Sequence, residues 1–209
     1  MLSLFQIELP LHSKKHINNG MVALWRIEET KEELFDLLPD TWKANLDINS
    51  MNRHNLAARV LAHTICPNFD SIEKDEYGKP YFISKDYPIS ITHAGEYAGF
   101  MYTEDRECGI DIEQISNRIE RIQHKFVRED EQKFAESGLQ GLYIVWCAKE
   151  ALYKYYGLKA LDFKVNLKLQ FEPFEKEGNL KGIILKNEYK ITMDLHYQFF
   201  DEYLLIHTQ

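Results

Sequence analysis

Asp111 and Glu113 stand two residues apart in the run Cys108-Gly-Ile-Asp-Ile-Glu113. On a strand that spacing points both carboxylates the same way, while Ile110 and Ile112 point to the other face and into a core. Two hard oxygen ligands form a partial site of the kind Mg²⁺ accepts, with water or a phosphate completing the octahedron. The same pair equally suits a solvated edge strand. Further on, Trp146-Cys-Ala-Lys-Glu150 lies within a helical pattern. Lys149 and Glu150 are adjacent there, about 100° apart around the axis, and do not pair. Glu150 and Lys154 are four apart and share a face. They form either a surface ion pair of small worth or, because Trp146, Ala151 and Tyr153 flank them, a carboxylate and an ammonium bordering the apolar stripe. His93 opens a Thr-His-Ala-Gly turn at a strand end. It reads either as an ordinary turn histidine or as a phosphate-contacting group. No histidine pair has zinc spacing, and the phosphate-loop, nucleophile-elbow and dinucleotide fingerprints are absent.

The elements that must position these groups follow from pattern. Gly20 to Arg26 predicts a strand after a turn. Thr30-Lys-Glu-Glu33 is a capping box for a short helix ending before Pro39. Leu56, Ala57, Val60, Leu61, Thr64 and Ile65 recur at helical spacing, predicting a helix from about 50 to 65, stopped by Pro67. Tyr77 to Pro80 reads as a turn, 88–92 as a strand, and Ala98, Phe100 and Tyr102 as its hairpin partner. Residues 108–113 form the strand carrying both acids. Residues 117–136 predict a polar helical region, and 139–156 the longest helix, capped by Gly157. Strands are expected at 165–171, 182–185, 189–200 and 203–207. A faint repeat links Trp25-Arg-Ile-Glu28 followed by Ala58-Arg59 with Ile110-Asp-Ile-Glu113 followed by Ala148-Lys149.

Composition narrows the function classes. With 209 residues, 44% hydrophobic, the chain suits one large domain or two small ones with a sizeable core. Its formal charge of −8 argues against a global attraction to nucleic acid or anionic membrane. No run approaches the ~18 apolar residues of a membrane span, and Met1 to Pro10 lacks the pattern of a signal peptide. Cys66, Cys108 and Cys147 form no zinc or redox motif and read as small buried hydrophobes in a reducing cytoplasm. Within this acidic chain, Arg118, Arg121, Lys125 and Arg128, with His124 adjoining, fall on one face of the expected 117–136 helix. They read as a solvated face or as a docking face for an acidic partner.

The order of the pieces is more specific than any one of them. Gly78-Lys-Pro80, Ser90-Ile-Thr-His-Ala-Gly95, Gly109-Ile-Asp-Ile-Glu113 and Trp146-Cys-Ala-Lys-Glu-Ala151, followed by Lys154, occur in that sequence. From about Arg53 to Gly157 the chain resembles the 4′-phosphopantetheinyl transferase family, in its larger monomeric class. The resemblance implies an α+β fold of two similar α/β halves forming a pseudo-dimer, here 1–103 and 104–209, with coenzyme A and Mg²⁺ between them. It implies transfer of phosphopantetheine to a serine of an apo carrier protein by a monomeric cytoplasmic enzyme. Asp111, Glu113 and Glu150 match the family's metal-binding acids, and Glu150 its general base. Lys149 and Lys154 match lysines near the reacting phosphate, and Thr92 and His93 a serine–histidine pair on the coenzyme A phosphates. Lys79 and Pro80 match a segment bordering the adenine end, and Arg53 a phosphate-binding arginine. One departure stands out: where relatives often carry a basic pair, the segment 39–45 has only Lys43. The rival expectations are a non-catalytic relative that binds carrier protein or coenzyme A, and a Mg²⁺-dependent phosphodiesterase using the same acids.

Overall fold

The computed structural model describes residues 11–84 and 87–209. The expectation about residues 1–10 lies outside them. In chain order the elements are β1 (Leu11–Ile17), β2 (Gly20–Arg26), α1 (Lys31–Asp36), α2 (Asp40–Lys43), α3 (Arg53–Ile65), β3 (Ile72–Lys74), β4 (Pro80–Phe82), β5 (Ile89–Ala94) and β6 (Tyr97–Thr103). There follow β7 (Ile110–Gln114), α4 (Gln132–Ala135), α5 (Leu139–Tyr156), β8 (Leu167–Phe171), β9 (Glu177–Lys186), β10 (Tyr189–Phe200) and β11 (Tyr203–Thr208). The expected division after residue 103 falls in the connection between β6 and β7.

Two antiparallel sheets result, ordered β1-β2-β6-β5 and β7-β11-β10-β9-β8, with β3 and β4 as a separate hairpin. In each sheet the strand that precedes the long helix pairs with the last strand, which pairs with the one before it: β2-β6-β5 and β7-β11-β10. The faint sequence repeat is thus a repeat of topology, and the fold is the α+β pair of similar halves that the resemblance implies.

The apolar patterns explain how the halves join. β2 is apolar on both faces because both are covered. Ala23 and Trp25 pack with Leu56, Val60 and Leu61 of α3. Val22 and Leu24 face the other way, onto Ile110, Ile112 and Leu205 of the second sheet. The second sheet buries its opposite face against α5 through Ile144, Ala148, Ala151 and Leu152. β7 lies tightly on α5: a Cβ at Gly109 would sit 1.9 Å from the Ala151 carbonyl oxygen. β5 and β7 are edge strands that meet at the seam between sheets. There Ser90 Oγ accepts the Ile110 N–H at 3.2 Å and Thr92 Oγ1 accepts the Ile112 N–H at 3.1 Å. Hydroxyls stand in for carbonyls where the backbone ladder is missing.

Several local expectations change. The capping box at Thr30 and Glu33 forms, but Pro39 both ends α1 and N-caps α2, whose Trp42 is buried. β1 was not expected, because the edge strand LHSKKHI is exposed along most of its length and carries no apolar alternation. β5 runs on through His93, so the turn begins at Gly95, with φ +53°. The polar stretch 117–136 is not one helix. It is a chain of 3₁₀ turns at 117–121, 123–125 and 129–131 leading into α4. Its apolar residues lack a 3.6 period: Ile119 reaches the core from the first turn, and Phe126 and Val127 reach it together just after the second. All three cysteines are buried free thiols. Among the described residues no helix is long and apolar enough to cross a membrane.

Candidate active site

A groove with a cavity volume of about 200 Å³ opens between α3, the β3–β4 hairpin, β5 and the end of α5. Arg59, Lys74, Lys79, Lys154 and Lys159 line it together with His93, and no carboxylate does among the described residues. In a chain of net charge −8, five cations converging on one groove make it the electrostatic complement of a polyanion. Gly157 shapes its floor. It ends α5 at φ +72°, and a Cβ there would meet Lys79 Cδ at 2.6 Å. Lys79 spans the groove wall, donating to Glu107 and, at 3.2 Å, to the Tyr155 carbonyl.

At the inner end of the groove Lys154 meets the acids. Its Nζ donates to Asp111 Oδ1 at 2.8 Å and to the Ile110 carbonyl at 2.9 Å. Thr92 Oγ1 donates to the same Oδ1 at 3.1 Å. Asp111 is 5% exposed, and among the described residues its buried Oδ2 accepts no N–H or O–H. The Cys147 thiol, a weak donor, faces that carboxylate; burial first and Asp111 second push this thiol well above its usual range. Glu113 Oε1 accepts the Trp146 indole N–H at 3.1 Å. Burial, then the Asp111 charge, raise the Glu113 carboxyl. Burial, then the same charge, raise Glu150 to about 7. Two further openings reach this point. One is lined by His93, Glu113, Arg118, Tyr143 and Trp146. The other is lined by Lys125, Phe126, Trp146, Glu150, Tyr153 and Phe163.

The acids fit a hard dication. A buried carboxylate oxygen beside a weak thiol donor and two carboxyls held above their usual range are a deficit of positive charge. The described side chains do not close around an ion by themselves: no group of three His, Cys, Asp or Glu is gathered tightly enough to hold one. Oxygens of water or of a bound phosphate must supply the remaining ligands.

Other expected site residues sit elsewhere. Lys149 has no exposed surface. Its ammonium donates to Glu131 Oε2 at 2.6 Å and to the carbonyls of Phe126 at 2.6 Å and Phe163 at 2.9 Å. It therefore cannot meet a phosphate; one position from Glu150 on the helix, it points into the core of its own half. Arg53 commits Nε to the Glu29 carbonyl and Nη2 to the Ile27 carbonyl, both at 2.7 Å, which pins the loop after β2. It does not line the cationic groove. Thr92 is buried in the seam. His93 borders two of the openings, and its ring stacks on His54 at 4.7 Å. Desolvation, then the neighbouring His54 and Lys154, lower its pKa. The four basic residues expected on one helical face are split among three 3₁₀ turns, Arg118 and Arg121 on the first, Lys125 on the second and Arg128 at the start of the third. Arg118 borders one opening and Lys125 the other. Arg128 is held by Asp130 and the Lys164 carbonyl.

Sequence reasoning missed Arg59, Lys74, Lys159, His54 and the Trp146–Glu113 bond. Arg59 gave a faint signal, as a lone cation inside the apolar stripe of α3. The others depend on contacts between distant elements.

Comparison with known proteins points to one family. A family model described as "4′-phosphopantetheinyl transferase superfamily" matches residues 107–205, the span that carries Asp111, Glu113, Glu150 and Lys154. The chain is 33% identical over 173 residues to "4′-phosphopantetheinyl transferase gsp" of Aneurinibacillus migulanus, covering 79% of this chain and 70% of that protein. It is 30% identical over 94 residues to a Haemophilus influenzae protein named "Putative 4′-phosphopantetheinyl transferase". That match covers 41% of this chain and 40% of the relative's length.

Proposed function

The chain belongs to the 4′-phosphopantetheinyl transferase superfamily, and on that premise we propose that it moves the 4′-phosphopantetheine arm of coenzyme A onto a serine of an apo carrier protein. The observation that carries this reading is the groove of five cations leading to three acids. A nucleotide polyanion enters the first, and a divalent cation is held by the second. Mg²⁺ bound at Asp111, Glu113 and Glu150 would supply charge neutralisation at the pyrophosphate.

The chain's own residues do the rest. Arg59, Lys74, Lys79 and Lys159 bind the anionic end of coenzyme A, with His93 at the inner end of the groove. Lys154, already at the acids, offsets charge that grows on the phosphoryl oxygens. The Glu150 carboxylate, one turn of α5 before Lys154, is placed to act as the general base. It takes the proton of the carrier serine as the serine oxygen bonds to the pantetheine-bearing phosphorus. The pyrophosphate P–O bond breaks, and adenosine 3′,5′-bisphosphate leaves. Glu150 lines its own opening beside Lys125, which gives the serine a route separate from the nucleotide groove. Arg118, Arg121 and Lys125 line or flank the two openings and steer an acidic carrier toward them.

The reading suits a monomeric cytoplasmic enzyme whose two halves, 1–103 and 104–209, close around coenzyme A. Three buried free thiols support a reducing compartment. The test is chromatographic. With coenzyme A, Mg²⁺ and an apo carrier, adenosine 3′,5′-bisphosphate should accumulate in step with holo carrier. Carrier or coenzyme A binding with no nucleotide release would instead identify a non-catalytic binding relative.

A further inference from the structure

We infer that Thr92 is a positioning residue for Asp111, holding that carboxylate in place at the site of the divalent cation. The inference rests on the transferase reading and departs from the coenzyme A contact that the resemblance implied for this position. The hydrogen-bond polarity at Thr92 is forced. The Ile112 N–H can only donate, so it donates to Oγ1 at 3.1 Å. Asp111 Oδ1 is an acceptor, so Thr92 spends its single hydroxyl proton there, at 3.1 Å. A phosphate oxygen also needs a donor, and Thr92 has none left.

The consequence falls on Asp111. Lys154 and Thr92 both donate to Oδ1, at 2.8 and 3.1 Å, while Oδ2 is buried against the Cys147 thiol. Turning the carboxylate out of this plane would lose both charge-assisted bonds. Thr92 is 4% exposed and is itself anchored to the β7 backbone, so the carboxylate plane is set by the seam between the two sheets. Ser90 provides the internal comparison. It takes the Ile110 N–H in the same way at 3.2 Å but, among the described residues, bonds to no carboxylate. The two hydroxyls are equivalent as seam hydrogen bonds and differ in what they hold.

The experiment measures Mn²⁺ binding by the loss of the free-ion electron paramagnetic resonance signal, with coenzyme A saturating, and coenzyme A binding in EDTA by calorimetry. Thr92→Val keeps the shape and removes the hydroxyl. It should weaken Mn²⁺ by ~10–100-fold, the usual effect of losing a group that orients a metal ligand. Metal-free coenzyme A binding should change by less than about twofold, and Thr92→Ser should restore wild-type Mn²⁺ affinity. Ser90→Ala should lower the melting temperature and leave Mn²⁺ affinity unchanged. If Thr92→Val does not fold, Thr92→Cys, a weaker donor, takes its place and should give an intermediate loss. Unchanged Mn²⁺ affinity in the Thr92 variants overturns the inference. So does an equal loss in metal-free coenzyme A binding, which would make Thr92 a ligand contact. If the wild-type protein binds neither Mn²⁺ nor coenzyme A, the transferase reading falls as well.

Discussion

Glu150→Gln should make the ligand-free protein more stable while it abolishes most turnover. The carboxyl is raised from 4.5 to about 7 by burial and by the Asp111 charge, so its ionised form is disfavoured in the native state. At ~1.4 kcal/mol per tenfold that corresponds to a ceiling of ~3 kcal/mol. Glu150 is only half-buried and titrates together with its carboxylate neighbours, so after screening ~1–2 kcal/mol is the working figure. The sign follows from proton counting. Below pH ~4.5 the carboxyl is protonated in both states, and the amide gives no advantage. Between 4.5 and about 7 the native state holds a proton that the unfolded chain has released, so the wild type loses stability as pH rises. Above about 7 the gap is constant. For a chain of this size ~1–2 kcal/mol is ~2–8 °C in melting temperature. The assay is thermal unfolding of metal-free wild type and variant from pH 5 to pH 8.5. The difference should be smallest at the acid end and reach its plateau above pH 7. Single-turnover transfer should fall by about 100-fold or more. A variant that is equally or less stable at pH 8, or a pH-independent difference, would refute the placement of Glu150 among buried like charges.

Two other substitutions separate roles that adjacent residues could be confused for. Lys149→Met should cost ~3–5 kcal/mol in urea unfolding, because it leaves the buried Glu131 charge without its cation; adding Glu131→Leu should recover only part of that, since the Arg128 and Leu169 N–H groups then lose their acceptor. A mild stability loss with a raised coenzyme A KM would return Lys149 to the ligand. Arg121→Glu with Lys125→Glu should raise the carrier KM, flatten its salt dependence and leave the coenzyme A KM nearly unchanged. Equal effects on both substrates would place these turns at the nucleotide instead.

The sequence made the long helix and the acid-bearing strand legible because each has one clean period. α5 came out at 139–156, with its left-handed Gly157 cap. Asp111 and Glu113 do share a face, with Ile110 and Ile112 in the core between the sheets. The stretch 117–136 was misread because evenly spaced cations imitate a helical face even when the apolar residues do not. Lys149 was misplaced for a related reason. Motif position says which helix a residue is on, whereas the ~100° between neighbours decides which side it sees. Thr92 could not be resolved from sequence at all, since its role depends on a seam between edge strands about twenty residues apart. The cationic groove was equally hidden, because α3, the β3–β4 hairpin and the end of α5 each bring only one or two of its charges.

The central claim is that this chain transfers phosphopantetheine using the acids at the end of that groove. Intact-mass analysis of an apo carrier incubated with enzyme, coenzyme A and Mg²⁺ tests it most directly, with Asp111→Ala and EDTA as parallel arms. The account predicts a carrier heavier by one phosphopantetheine arm, at one serine. It also predicts that Asp111→Ala, folded by circular dichroism, slows this by about 100-fold or more, and that EDTA abolishes it. A panel of apo carriers left unmodified by an enzyme that binds coenzyme A, or transfer that proceeds at full rate in Asp111→Ala, would contradict it.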